Sequence, residues 1–306
     1  MSFIISQFIV SFVTCSIVSL YFNGIPNLEE LTCHRCLDII TIPNIRGLER
    51  LYCGNNLIEN IPNIEGLKIL ECFECNSLTN IPNIRGLQEL YCNSCSLLID
   101  IPNIEGLKKL DCSSCYLLTE IPNIKGLKRL DCDCNDELTE IPNIEGLEEL
   151  YCNSCSLLIS VPNIEGLLKL GCGYNKQLTS IPNIKGLQEL DCKGCSLLED
   201  IPNIDGLKEL YCSNCDLITS IPNIHKLQKL DCNHCKQLIS VSNIDGLQEL
   251  DCSHCNILLE IPNIHNIRKL KCIHCPLLHR HLHKQIKNDY KGTNLGKRSY
   301  GETIVQ

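Results

Sequence analysis

The chain has 306 residues, a formal net charge of −9 and 25 cysteines, with one methionine and no tryptophan. Length alone would suggest two domains. The acidic balance disfavours a nucleic-acid-binding protein, because such proteins neutralise phosphates with lysine and arginine. So many cysteines in a chain of this length fit a reducing compartment better than a secreted disulfide framework.

Residues 1–24 carry no charged side chain, and residues 3–22 are mostly apolar. Such a stretch is long enough to span a bilayer, so one interpretation is a signal peptide or membrane anchor. It lacks the basic start and the clear cleavage site of a secretory signal. The other interpretation is a degenerate repeat that caps the core. The residues at the repeat spacing are Val10, Val13, Cys15, Val18 and Tyr21.

From residue 25 to 280 the chain repeats one pattern thirteen times, I-P-N-I-x-G-L-x-x-L-x-C-x-x-C/N-x-x-L-x-x, whose first isoleucine is position 1. Eleven copies have twenty residues, and the first two are shorter. Position 3 is Asn and position 12 is Cys in all thirteen copies. Position 15 is Cys in ten copies and Asn in three, at Asn56, Asn135 and Asn175. A fixed period of this length predicts a solenoid.

The segment L-x-x-L-x-C-x-x-C/N-x-x-L resembles the leucine-rich repeat family, whose pattern takes Asn or Cys at position 15. The resemblance implies an α/β-class repeat solenoid with a curved parallel β-sheet of short strands on its concave face. Positions 10 and 12 would point inward and positions 9, 11 and 13 outward. The position-15 side chain would satisfy buried backbone groups, Asn well and Cys weakly. The short repeats resemble the bacterial effector subtype, and the cysteine content resembles repeat proteins of large DNA viruses of amoebae.

The segment that returns from one strand to the next has about ten residues and carries Pro at position 2, which removes a donor and disfavours helix. We therefore expect an extended, polyproline-like convex face with little helix. Gly at position 6 predicts a positive φ, which Asn266 would also tolerate. Lys226, at the same position, does not fit that prediction.

The predicted organisation is an apolar segment at 1–24, one repeat domain at 25–280, and a basic cap or tail at 281–306. Four apolar residues near the end are spaced by four, which predicts a short amphipathic capping helix. They are Leu278, Leu282, Ile286 and Tyr290.

Paired C-x-x-C cysteines would indicate zinc sites in many chains. Here three repeats replace the second Cys with Asn, a poor zinc ligand, so we expect core thiols, which behave as small hydrophobes. Histidines near the C-terminus are a weaker metal candidate, and we expect them to be solvated. They are His274, His279, His281 and His283. No catalytic triad, phosphate loop or nucleotide fingerprint appears, so we expect neither enzyme activity nor a metal or cofactor.

The outward position 11 varies within a small set of residues, mostly acids and tyrosines. One interpretation is a strand face that is merely soluble. The other is a protein-binding face, because solenoids offer extended concave surfaces and tyrosine is favoured at interfaces. The candidate binding residues are Tyr52, Tyr91, Asp111, Asp131, Tyr151, Asp191, Tyr211, Asp231 and Asp251.

The sequence therefore predicts a monomeric, non-catalytic scaffold for protein–protein interaction in the cytoplasm, its own or that of a host cell. No nucleic acid partner is expected. One alternative, suggested by the family resemblance, is an adaptor or effector in ubiquitin transfer. Another is a membrane-anchored receptor, which requires residues 3–22 to act as an anchor.

Overall fold

The computed structural model describes residues 27–36, 39–261 and 266–279. The chain divides into two compact units, Met1–Cys155 and Ser156–Gln306. The prediction of a single repeat domain over residues 25–280 stays a prediction. The predicted segment at 1–24 and the tail at 281–306 lie outside the described residues.

In the described part of the first compact unit, seven three-residue strands pair in parallel, each with the next along the chain. Equal repeat positions face each other, so that Leu70 lies opposite Leu90 and Leu90 opposite Leu110. The strands are β1 (Glu30–Thr32), β2 (Arg50–Tyr52), β3 (Ile69–Glu71), β4 (Glu89–Tyr91), β5 (Lys109–Asp111), β6 (Arg129–Asp131) and β7 (Glu149–Tyr151).

The second compact unit repeats this ladder and adds a second pair of strands. Among its described residues, six strands form the main parallel ladder: β8 (Lys169–Gly171), β9 (Glu189–Asp191), β10 (Glu209–Tyr211), β12 (Lys229–Asp231), β14 (Glu249–Asp251) and β15 (Lys269–Lys271). The shorter β11 (Ser220–Ile221) and β13 (Ser240–Val241) pair with each other on the return segment. Each compact unit is therefore a parallel-strand β-solenoid.

The strands have the burial pattern that the repeat predicts. Position 10 is buried between two partly exposed neighbours in most strands, as in β4 and β10. The cysteines of positions 12 and 15 lie in the same core, as do the apolar residues of positions 1, 4, 7 and 18. Burial of one face of every repeat is what holds the strands in register, because a slip by one residue would expose that face.

Most of the return segment is extended, as Pro at position 2 predicts, and contains a tight turn. The Leu67 N–H donates to the carbonyl oxygen of Ile64 at 3.3 Å, and Gly66 between them has φ +88°. A type II turn needs a positive φ at this place, which glycine supplies. The prediction of a positive φ at position 6 is confirmed and extends to Lys226, which adopts the same turn with φ 73° despite its side chain.

One departure from the pattern explains the second pair of strands. Ser242 stands where other repeats have proline, and its N–H donates to the carbonyl oxygen of Ile221 at 3.0 Å. Proline has no N–H to give at this position. The missing donor is a reason why the other return segments stay extended without extensive pairing.

The described chain ends in helical residues 276–279, in which Leu278 is buried. Of the residues that predict a capping helix, Leu282, Ile286 and Tyr290 lie outside the described part, so this helix stays a prediction. No helix in the described residues is long and apolar enough to cross a bilayer.

Candidate functional site

Position 15 joins each repeat to the one before it. The Cys95 thiol donates to the carbonyl oxygen of Cys72 at 3.1 Å, and the Cys115 thiol to that of Cys92 at 3.2 Å. Asn56 does more, because its side-chain N–H₂ donates to two carbonyl oxygens, those of Cys33 at 2.8 Å and Cys53 at 2.7 Å. The prediction that Asn or Cys here satisfies buried backbone is confirmed.

The thiols of position 12 form part of the core, and burial disfavours their charged form. Burial raises the pKa of Cys53, Cys112 and Cys132 well above the usual value. A metal-binding thiol has to be a thiolate, which these surroundings oppose. Within the described residues, no group of three or more His, Cys, Asp or Glu is arranged to hold a metal ion. His281 and His283 lie outside those residues.

The backbone of position 14, in the turn that follows the strand, is a feature that the sequence analysis missed. It takes a left-handed backbone in all thirteen described copies of the turn, with φ between 54° and 68°. Its N–H donates to position 13 of the next repeat, as Glu74 does to Asn93 at 2.9 Å. Asn, Gly and His are enriched in this conformation, and their presence at position 14 was the available signal. Examples are Asn55, Gly194, Asn214, His234, His254 and His274.

On the outward face, position 9 is a ladder of paired charges. In the first compact unit, Lys109 Nζ lies 3.0 Å from Glu89 Oε1, and Arg129 Nη1 lies 2.5 Å from Glu149 Oε2. In the second, Lys169 Nζ lies 3.2 Å from Glu189 Oε2. These exposed pairs stabilise the sheet only modestly, by at most about 1 kcal/mol each. Position 9 is thus neutralised by its own neighbours.

The position-11 tyrosines are held by their surroundings. The Tyr91 hydroxyl donates to Glu89 Oε2 at 2.7 Å, and the Tyr211 hydroxyl donates to Glu209 Oε2 at 2.5 Å. Burial, followed by the bond to Glu89, raises the pKa of Tyr91 to about 12. Cations lie over two of the rings: Arg129 over Tyr151 at 4.6 Å, and Lys229 over Tyr211 at 4.8 Å. Each such ring is half-buried and fixed in one orientation.

The position-11 aspartates share a structural contact that the sequence analysis did not foresee. Their Oδ1 atoms accept the backbone N–H of position 13, two residues later, and so brace the turn. Ser113 N lies 3.1 Å from Asp111, Lys193 N lies 3.1 Å from Asp191, and Ser253 N lies 3.1 Å from Asp251. Asp131 and Asp231 make the same contact at 3.4 Å and 3.3 Å.

The carboxylates of position 11 also face each other without full neutralisation. Asp111 pairs in register with Asp131, and Asp231 pairs with Asp251. Burial, then Asp133 and Asp111, raise the pKa of Asp131 to about 6. All nine predicted binding residues lie on the outward side of a sheet. Five belong to the first compact unit and four to the second. Their role in binding stays a prediction.

The Leucine Rich Repeat family model matches residues 246–270, which span more than one copy of the pattern found throughout the described chain. Among solved structures, a leucine-rich repeat protein from Bacteroides ovatus ATCC 8483 is similar, at 14% identity and a TM-score of 0.26, covering 69% of this chain and 81% of that one. No curated protein matches the chain. The match to the leucine-rich repeat model thus covers residues 246–270, and the other repeats share the sequence pattern of that stretch.

Proposed function

We propose that the chain is a non-catalytic scaffold for protein–protein interaction, and that the outward sheet faces bind the partner. The observation that carries this proposal is the contrast between positions 9 and 11. The charges of position 9 form ion pairs with neighbours of opposite sign, whereas position 11 sets Asp111 against Asp131 and Asp231 against Asp251. Arg129, 3.8 Å from Asp131, and Lys271, 3.4 Å from Asp251, offset only part of this negative charge. Like charges directly opposite each other destabilise a sheet.

The hydrogen bond that each position-11 aspartate accepts from position 13 does not explain why the side chain is charged. An asparagine at position 11 offers the same Oδ1 acceptor without the charge, because Asn and Asp side chains both make this kind of turn. The carboxylates therefore add something other than the turn contact. A partner that brings positive side chains would relieve their repulsion and gain affinity from it.

The tyrosines suit an interface for a different reason. Tyr91, Tyr151 and Tyr211 are half-buried, and a neighbouring glutamate accepts a hydrogen bond from each hydroxyl. A side chain that is already ordered loses little conformational freedom on binding. Aromatic anchors of this kind dominate many protein interfaces.

Catalysis is not favoured by this arrangement. An active site needs unlike groups that converge on one point, whereas each repeat presents nearly the same groups as the last. The described surface is an array of similar positions, which suits an extended partner.

The test replaces Tyr91, Tyr151 and Tyr211 with Ala in the full chain and measures capture of partners from cells that express the protein, by mass spectrometry. Surface changes usually cost within about 0.5 kcal/mol of folding, so the variant should fold. Truncating an interface aromatic often costs more than about 2 kcal/mol of binding, so the partner should be lost.

The matched control changes the neighbouring inward residues Leu90, Leu150 and Leu210 to Ala. Each leaves a cavity that costs roughly 2 to 5 kcal/mol, so here the fold itself should fail. Full partner capture by the folded triple-tyrosine variant would contradict the proposal. Position 11, called here the tyrosine stripe, would then be only a soluble surface.

A further inference from the structure

Near the N-terminal end of the first compact unit, three aromatic side chains from successive repeats meet on the outward side. They are His34, Tyr52 and Phe73, called here the aromatic cluster. The ring centroids of His34 and Phe73 are 5.4 Å apart, and those of His34 and Tyr52 are 6.3 Å apart. All three side chains are partly exposed.

The cluster depends on a glycine. Gly54 occupies the same repeat position as His34 and Phe73, and the Phe73 ring lies over it. A Cβ at Gly54 would be 2.6 Å from Phe73 Cε1, so any larger residue would displace the ring. Gly54 has no positive φ that would demand glycine for backbone reasons. Glycine at position 54 therefore leaves the space that the Phe73 ring occupies.

The cluster carries no cation of its own. The Gly54 N–H donates to His34 Nδ1 at 3.0 Å, which requires an unprotonated Nδ1 and leaves the ring proton on Nε2. His34 Nε2 lies 4.0 Å from Glu71 Oε1. Among the described residues, no lysine or arginine lies over the Tyr52 or Phe73 ring, since Arg50 is held by Glu30 at 2.8 Å.

Carboxylates surround these rings. Burial, followed by Glu30 and then by Glu71 and Glu89, raises the pKa of Tyr52, with Arg50 opposing. Elsewhere in the same chain, comparable tyrosine faces are filled by cations, Arg129 on Tyr151 and Lys193 and Lys229 on Tyr211. Aromatic faces near acids are the usual chemistry for binding organic cations.

We propose that the aromatic cluster is a binding site for an alkylammonium group, such as a lysine or methylated lysine side chain of the partner. The inference rests on the proposed scaffold function only for the source of that side chain. The rings supply the cation–π attraction, and Glu71, beside His34, supplies the attraction to positive charge.

The test titrates the full chain with Nα-acetyl-Nε-trimethyllysine amide and follows the probe methyl signals by NMR. A second probe replaces the trimethylammonium group with a neutral tert-butyl group of the same shape. The charged probe should bind saturably, and the neutral probe should bind roughly tenfold more weakly, because only the charge is lost.

Two variants test the location. Phe73→Ala removes one ring, and Gly54→Ala displaces that ring without deleting it. Each should weaken the charged probe by roughly tenfold. Tyr116→Ala, which removes a more exposed aromatic ring in the same compact unit, should leave the affinity for the charged probe unchanged. Equal binding of both probes, absent binding, or unchanged affinity in the Phe73 and Gly54 variants would overturn the site.

The two proposals fail separately. If the partner is captured through the tyrosine stripe but the charged probe does not bind, the alkylammonium site is wrong and the scaffold stands. If the probe binds at the cluster but the triple-tyrosine variant keeps its partner, the site stands and the scaffold proposal is wrong.

Discussion

At the scale of the residue, two positions in the repeat, 6 and 14, require a backbone with positive φ, which most residues avoid. Position 6 turns with φ between 80° and 94° at its glycines, and position 14 turns with φ between 54° and 68°. Position 6 is almost always glycine, whereas position 14 accepts residues such as Glu74 and Tyr174. The cross-repeat hydrogen bond from the position-14 N–H offsets some of the cost of that conformation, roughly 1 to 2 kcal/mol for a side chain with a Cβ.

Lys226→Gly should raise the free energy of unfolding by about 0.5 to 1 kcal/mol, because Lys226 has φ 73° at position 6. Part of the gain is lost to the larger entropy of glycine in the unfolded chain. The midpoint of urea denaturation measures the change. The reverse substitution at the preceding repeat, Gly206→Lys, should lower the midpoint, and a Lys226→Gly protein no more stable than the wild type would contradict the backbone argument.

Asp131→Asn should stabilise the protein at pH 7. The pKa of Asp131 is raised from 3.8 to about 6, so the folded state holds this proton more tightly than the unfolded state. The linked stability is therefore present at low pH and is lost as the pH rises from about 4 to about 6. Removing the ionisable group should recover about 1 kcal/mol at pH 7, allowing for solvent screening, and flatten this slope.

Urea denaturation at pH 4 and pH 7 compares the two proteins at each end of that window. Asp191→Asn is the matched control, because Lys193 Nζ lies 3.0 Å from Asp191 Oδ2 and that ion pair would be lost. The control should gain nothing. An Asp131→Asn protein that is less stable than the wild type at pH 7 would show that the carboxylate is not under repulsion.

At the scale of the element, the short strand and the turn that follows it use two cysteines in different ways. Position 12 fills the core beside position 10, and in some repeats its thiol donates to the strand of the next repeat, as Cys132 does to the carbonyl oxygen of Tyr151 at 3.3 Å. Position 15 lies under the turn, where its thiol donates to the preceding repeat, as Cys95 does to Cys72 at 3.1 Å. Similar residues three positions apart thus have different surroundings, and only position 15 accepts asparagine.

Cys95→Asn and Cys92→Asn test this difference with the same chemical change. In the Cys95 variant, the new amide would find contacts like those of Asn135, which bonds two carbonyl oxygens and the N–H of Cys115 at 2.9 Å. We expect a change within about 1 kcal/mol. At position 12 the amide would be buried without partners, which costs several kcal/mol. Thermal denaturation should show a folded Cys95→Asn protein and a strongly destabilised Cys92→Asn protein, and equal losses would refute the assignment.

At the scale of the whole molecule, each compact unit is built by repetition, and every repeat buries its core face only against its neighbours. The strength of such an assembly comes from many equal interfaces. The proposed binding surface, in contrast, uses the positions that vary from repeat to repeat. These are positions 9, 11, 13 and 14, and they supply the charge pairs, the aspartate braces and the aromatic cluster described above.

The sequence by itself determined the repeat, its resemblance to leucine-rich repeats, and which positions point inward. A twenty-residue period and a two-residue alternation leave one arrangement that buries the apolar residues of positions 7, 10 and 18. It also predicted that Asn or Cys at position 15 would hold the turn. Each of these properties depends on residue type and spacing within a single repeat.

Only the tertiary structure decided which outward residues meet. His34 and Phe73 are 39 residues apart, and their contact depends on parallel registry across Gly54. The sequence pattern did not reveal the left-handed backbone of position 14, because many residue types are tolerated at that position once its N–H bonds to the next repeat. Nor did it reveal the hydrogen bonds from the position-11 aspartates to the turn. Contacts between repeats depend on the three-dimensional stacking of whole turns, which no single repeat encodes.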